Sequence, residues 1–142
     1  VIRQLDFEKN LKLDQSSSYL QFKQNCERSR EELVALLKDL KAKGKRVVGY
    51  GATSKSTTIL NYCGIGSDLI EYISDTTPIK QGKYTPGSHI PVKPYDDFKG
   101  DYPDYVVLFA WNHAKEIMEK EQGYLKSGGK WIVFVPKVEV LE

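Results

Sequence analysis

Gly49 and Gly51 form a Gly-x-Gly within RVVGYGATSK, at the end of a short apolar run. Glycines at such a place let the backbone turn tightly and approach a ligand with no Cβ in the way. Ala52 adds little bulk, Thr53, Ser54 and Ser56 add hydroxyls, and Lys55 adds a positive charge. If a helix starts here, its free N–H groups and dipole favour an anion such as a phosphate. The third glycine of GxGxxG is replaced by Ser54, and no GK[ST] follows at P-loop spacing. A tight strand–helix turn without a ligand remains the alternative.

Three further groups carry chemistry. Asp75 closes the apolar stretch LIEYIS, where an acidic residue of a dinucleotide-binding fold accepts a hydrogen bond from a ribose hydroxyl. A helix-cap or loop carboxylate is the alternative reading. The segment from Thr76 to His89 lacks apolar periodicity, and long loops of this kind are often functional. It offers Lys80, Gln81, Gly82, Lys83, Tyr84 and His89, which suit a phosphate or a sugar better than an apolar partner. A solvated surface loop is the other possibility. Trp111 and Asn112 follow the apolar run YVVLFA, at the end of a strand where open α/β sheets bind ligands. Trp111 can stack on a ring or pack on the core, and Asn112 can bind a ligand or cap the helix that starts at His113. His113 has no evident partner for a base role, and no residue is assigned as catalytic.

These groups need elements to hold them. Ser16 to Ser18 offer N-caps to a long helix whose apolar residues Leu20, Phe22, Cys26, Leu33, Leu36, Leu37 and Leu40 recur at helical spacing; Gly44 stops it. Beyond it the chain alternates: strand Arg46–Tyr50, helix Ser54–Tyr62, strand Leu69–Ser74, the long loop, an extended Ile90–Val92 and a helical turn at Tyr95–Phe98. Strand Tyr105–Ala110, helix His113–Lys126 and a last strand Trp131–Val135 complete the series. Strands apolar throughout and separated by helices imply a mostly parallel sheet covered on both faces. The expected fold is α/β, a Rossmann-like doubly wound sheet preceded by a long N-terminal helix. Residues 1–44 are read as a lead-in segment and helix packing on the domain, and residues 45–142 as the Rossmann-like domain.

Composition narrows the function classes. The chain has 142 residues, 40% hydrophobic and 28% charged, with a net charge of +2 that gives no argument for nucleic acid. No apolar run reaches the roughly 20 residues of a membrane span, and VIRQLDFEKN has no signal-peptide core. The expectation is a cytoplasmic protein with reduced thiols. Cys26 and Cys63, with His89 and His113, show no metal-ligand spacing, so no metal is expected. The absent initiator Met reads as a piece of a longer protein.

GYGATSKSTTILNYCGI, YISDTTPIKQGKYTPGSHIPV and FAWNHAKEI, in this order and spacing, resemble the C-terminal domain of the sugar C-methyltransferase family. The resemblance covers nearly the whole chain. It implies a fold with two preceding parts, a zinc-binding domain and a methyltransferase domain that holds S-adenosylmethionine. It also implies an activity: methylation of a carbon on a nucleotide-linked deoxysugar. Where the family has Pro-Ala-Lys-Gly after GYGA, this chain has Thr53, Ser54, Lys55 and Ser56, sharing the lysine. The implied role is substrate binding, with the nucleotide sugar and the preceding domain as partners and no catalysis by this segment alone. The implied substrate contacts are Gly49, Gly51, Ala52, Thr53, Ser54, Lys55, Asp75, Lys80, Gln81, Gly82, Lys83, Tyr84, His89, Trp111 and Asn112. Two alternatives stand beside it: an independent NAD- or CoA-binding module, and a structural domain with no ligand.

Overall fold

A computed structural model describes the whole chain, Val1 to Glu142. Helix α1 spans Ile2–Asn10 and α2 spans Ser16–Ala42. Helix α2 splits into two parts. Its C-terminal half buries Leu33, Leu37 and Leu40 against the sheet. Its N-terminal half leaves Leu20 and Phe22 60% and 68% exposed, and α1 buries nothing. Helical periodicity therefore runs further along the chain than the core does. The Ser16–Ser18 hydroxyls do not cap α2: Gln15 is the N-cap residue, and Ser18 Oγ instead donates to the Lys12 carbonyl.

The sheet comprises β1 (Val47–Tyr50), β2 (Ile73–Ser74), β3 (Val92–Lys93), β4 (Tyr105–Leu108), β5 (Lys130–Val133) and β6 (Glu139–Leu141). Their spatial order is β3-β2-β1-β4-β5-β6, with the first five parallel and β6 antiparallel to β5. The chain winds outward from β1 to β3, then crosses to β4 on the other side of β1. That reversal makes a doubly wound, Rossmann-like fold, whose switch point lies at the carboxyl ends of β1 and β4. Helix α3 (Ser54–Cys63) shares one face with α2, through Leu60. Helices α4 (Tyr95–Gly100), α5 (Ala114–Lys120) and α6 (Gln122–Lys126) cover the other, through Phe98, Ile117 and Tyr124.

Three expectations need correction. Strand β2 holds only Ile73 and Ser74, because Leu69 and Ile70 donate their N–H groups to the Gly66 carbonyl in a turn. The helix expected from His113 to Lys126 is broken at Glu121, which turns its carboxylate into the aromatic core. The chain also does not end its sheet at β5: Glu139–Leu141 returns as an antiparallel edge strand. No helix is long and apolar enough to cross a membrane.

Candidate functional site

The turn after β1 is built from specific constraints. A Cβ on Gly49 would lie 2.7 Å from Phe109 Cε2 and 2.9 Å from Ile73 Cγ1, so packing inside the sheet demands glycine there. Gly51 has φ +91°, in the left-handed region that favours glycine. Its N–H donates to the Ser74 carbonyl, and the Ala52 N–H donates to Asp75 Oδ2 at 2.8 Å. Thr53 and Ser56 then cap α3 reciprocally, the Ser56 N–H donating to Thr53 Oγ1 and the Thr53 N–H to Ser56 Oγ. This box is the local consequence of having Thr53 at the N-cap and Ser56 three residues on. The Ser54 and Lys55 amides lie outside the box, in the first turn of α3 where helical N–H groups have no intrahelical partner.

Asp75 is buried and fully engaged. Besides Ala52, it accepts from the Thr77 N–H at 2.8 Å and from Lys80 Nζ at 3.1 Å. Burial works against its charge, but the Thr77 and Lys80 hydrogen bonds prevail and hold the carboxyl below its ordinary value. Its main-chain carbonyl accepts from Gln81 Nε2. In this structure Asp75 clamps the glycine turn to the start of the long loop.

That loop is ordered by its own hydrogen bonds, while most of its side chains, Ile79 and Tyr84 among them, remain exposed. It begins with a 3-10 turn at Pro78–Lys80. The Gly82 N–H donates to the Val92 carbonyl, the Val92 N–H donates to the Lys83 carbonyl, and Tyr84 bridges Pro91. Buried Thr85 accepts the Ile90 N–H, and Asn61 of α3 donates to the Pro86 carbonyl, so the loop folds back beside α3. Between them opens a cleft of about 420 Å³. Thr53, Ser54, Ser56, Thr57 and Thr85 line it, with Lys80, Lys83, Tyr84 and Ile79; the hydroxyls of Thr53, Ser56 and Thr85 are already held by hydrogen bonds within the protein. No carboxylate lines this cleft. The Lys83 side chain makes no hydrogen bond or ion pair, leaving its ammonium free to meet an anion.

A second cleft, of about 320 Å³, lies on the α5 side of the same turn. Tyr50, Gly51, Ser74, Asp75, Thr76, His113, Glu116, Ile117 and Lys120 line it. Behind it, Glu121 is 2% exposed and accepts from the Tyr50 hydroxyl at 2.8 Å and the Tyr95 hydroxyl at 2.9 Å. Burial, reinforced by Glu121, pushes the Tyr50 hydroxyl well above its ordinary pKa, so it remains a donor at all physiological pH values.

The sequence candidates therefore fall into separate groups. Ala52, Thr53, Ser54, Lys80, Lys83 and Tyr84 share the first cleft, and Gly51 and Asp75 line the second. Lys55, Trp111 and Asn112 form a third cluster: Lys55 Nζ donates to Asn112 Oδ1 at 2.6 Å and sits 5.3 Å from the Trp111 ring centroid. Asn112 does not cap the following helix, which begins through a 3-10 turn at Trp111–His113. Trp111 packs edge-on against Phe134. Gly49 is buried in β1, while Gln81, Gly82 and His89 line neither cleft. Ser74 and Glu121 were not legible in the sequence. Glu121 sits in EIMEKEQG, where it reads as one more solvated helix carboxylate.

Residues 1–136 match the family described as the C-methyltransferase C-terminal domain. Over 123 residues the chain is 42% identical to C-methyltransferase NovU of Streptomyces niveus, covering 87% of this chain and 29% of that protein. The chain thus spans less than a third of the length of the curated relative it matches.

Proposed function

The chain belongs to the C-methyltransferase C-terminal domain family, and on that premise we propose that it holds the substrate of an S-adenosylmethionine-dependent enzyme that methylates a carbon of a nucleotide-linked sugar. The observation that carries the reading is the first cleft, with its five hydroxyl residues, its unpaired Lys83 and its lack of a lining carboxylate. Such a lining suits the phosphates and hydroxyls of a sugar nucleotide. Residues 45–142 form the binding domain in this proposal, and residues 1–44 lead into it from the preceding methyltransferase domain.

The methyl donor is a separate matter. S-adenosylmethionine carries a sulfonium cation, and a cleft presenting Lys80 and Lys83 repels one. The donor does not fit this cleft, and we assign it to the preceding domain. Methylation at a sugar carbon requires removal of an acidic proton and stabilisation of the resulting enolate. Lys80, Lys83, Tyr84 and His89 serve recognition in this reading, and proton transfer falls to the other domain.

Calorimetric titration of the chain with nucleotide sugars, NAD, coenzyme A and S-adenosylmethionine tests the proposal. Nucleotide sugars should bind, and Lys83→Ala should weaken them about tenfold, the size of one lost charge-assisted hydrogen bond. Tight binding of NAD or coenzyme A, with none of any nucleotide sugar, would reject it. A melting temperature unmoved by every ligand would favour a purely structural domain.

A further inference from the structure

We propose that the second cleft binds the nucleoside end of the ligand whose phosphates occupy the first, with Ser74 Oγ as its buried hydrogen-bonding anchor; this rests on the nucleotide-sugar reading above. Ser74 is 1% exposed, and its hydroxyl has no hydrogen-bond partner in the protein. A buried polar group left unmet costs about 1–3 kcal/mol, so its retention in a packed sheet calls for a partner from outside. Trp131 Nε1 is also unpartnered, but it lies within the aromatic core and lines neither cleft. Ser74 lines a cavity. Its place opposite Tyr50 in the β1–β2 register puts it on the α5 side of the sheet, at the carboxyl end of β2.

The chemistry of the lining separates the two clefts. Lys83 in the first is free and unopposed by a lining acid. In the second, the carboxylates of Asp75 and Glu116 face a single ammonium, that of Lys120, whose Nζ lies 3.8 Å from buried Glu121. A phosphate gains little from such a lining, whereas an uncharged ligand rich in hydroxyls and ring heteroatoms finds both donors and acceptors. Ile117 and the Tyr50 ring give it an apolar wall. The volume of about 320 Å³ lies at the small end of ligand pockets, suited to one nucleoside.

The clefts adjoin across Asp75. Asp75 lines the second, while its carboxylate accepts from the Ala52 N–H and from Lys80, both of which line the first. Gly51, which offers no side chain, lies at the boundary. One ligand can therefore run from Lys83, across the glycine turn, to Ser74. This places it in the crevice beyond the strand ends at the topological switch point.

The experiment uses the isotopically labelled chain and follows amide resonances during separate titrations. Its probes are adenosine, uridine, thymidine, their diphosphates, inorganic pyrophosphate and S-adenosylhomocysteine. At least one nucleoside should shift the Gly51, Ser74, Thr76 and Ile117 amides at millimolar concentration. Ser74→Ala should weaken that nucleoside about tenfold and leave pyrophosphate unchanged, while Lys83→Ala should do the reverse. Both substitutions should weaken the corresponding diphosphate. Ser74→Ala removes an unsatisfied group without opening the core, so the variant should fold. Nucleoside binding that is absent, or indifferent to Ser74→Ala, overturns the inference even if Lys83-dependent pyrophosphate binding upholds the first cleft. Ser74-dependent nucleoside binding without any pyrophosphate binding rejects the first cleft's reading and the single spanning ligand with it. Binding of S-adenosylhomocysteine alone would give the second cleft to the methyl donor and likewise overturn it.

Discussion

The two faces of the sheet are held by different physics. Beneath α2 and α3, the buried apolar cluster is aliphatic apart from Phe109 and Phe134: Leu33, Leu37, Leu40, Leu60, Ile65, Ile70, Ile73 and their neighbours. Beneath α4, α5 and α6, the core is largely rings, with Tyr50, Tyr72, Phe98, Tyr124 and Trp131 among aliphatic residues of β1, β4 and β5. Aliphatic side chains need volume and little else, so that face can be closed by a long helix with any well-filled seam. Rings need particular edge-to-face geometry, and tyrosine hydroxyls need acceptors. The aromatic face supplies these through Glu121 for Tyr50 and Tyr95, and through the Lys130 and Asp104 carbonyls for Tyr124. It is also the face on which the second cleft opens, with Tyr50 shared between core and cleft. Specificity sits on the face with more to lose.

The hardest test is a near-conservative swap on each side. Phe98 is fully buried and meets four rings, Tyr50, Tyr95, Tyr102 and Tyr124, at centroid distances of 5.2–6.1 Å. Phe98→Leu should destabilise the chain by about 3 kcal/mol, since each aromatic pair contributes about 0.5–1.5 kcal/mol beyond its area. Leu37→Met on the aliphatic face should cost less than about 1.5 kcal/mol. Urea unfolding midpoints at constant m-value measure both. Equal losses would mean that the faces differ in composition but not in tolerance.

Polar deletions give a smaller but sharper contrast. Glu121→Gln keeps the shape but replaces an acceptor-only group with one that must turn its NH₂ toward a hydroxyl oxygen. The expected loss is about 1.5–2 kcal/mol, typical of hydrogen bonds to a charged partner. Near-ultraviolet circular dichroism should register the loosened tyrosines. On the other side, Ser29 Oγ of α2 donates to the Phe134 carbonyl at 3.0 Å beside the aliphatic core. Ser29→Ala should cost under about 1 kcal/mol and leave that spectrum unchanged. If Ser29→Ala cost more than Glu121→Gln, the aromatic face would not be the polar-dependent one.

The same contrast explains what could be read in the sequence. The aliphatic face was legible: Leu33, Leu37 and Leu40 recur at helical spacing, and VVGY and YVVL are short, β-branched apolar runs that read as buried strands. The glycine turn was placed correctly because Gly51 must take a positive φ between strand and helix. The aromatic face was not legible, since its organising contact joins Glu121 to Tyr50 and Tyr95 far away in the chain. Nothing in the local pattern says that this one glutamate turns inward and breaks a helix. Strand β2 was overextended for a related reason: an apolar run such as LIEYI cannot by itself distinguish a buried turn from a strand. In the candidate site, types were readable and groupings were not. Lys80 and Lys83 share the first cleft, yet Gln81, Gly82 and His89 of the same loop face elsewhere.

The smallest effect is invisible at neutral pH and appears only in alkali. Burial is the main cause that pushes the Tyr72 hydroxyl up to about 12; Arg46 opposes it, and Asp97 and Glu71 add to it. Burial likewise pushes Tyr95 up to about 12, helped by its hydrogen bond to Glu121. In the unfolded chain both titrate near pH 10. A folded-state pKa above the unfolded one means that the folded chain keeps a proton which the unfolded chain releases. The associated stability is fully present below about pH 10 and is lost as pH rises toward about 12. Urea midpoints should therefore be level from about pH 8 to about pH 9.5 and fall above it. Tyr72→Phe should flatten the fall, because it removes a titrating hydroxyl that has no hydrogen-bond partner in the fold. Leu37→Met should leave the pH profile parallel to that of the unaltered chain. A Tyr72→Phe profile as steep as the parent's would show that Tyr72 does not carry the alkaline loss, which would then rest on Tyr50, Tyr95 and Tyr124 of the same face.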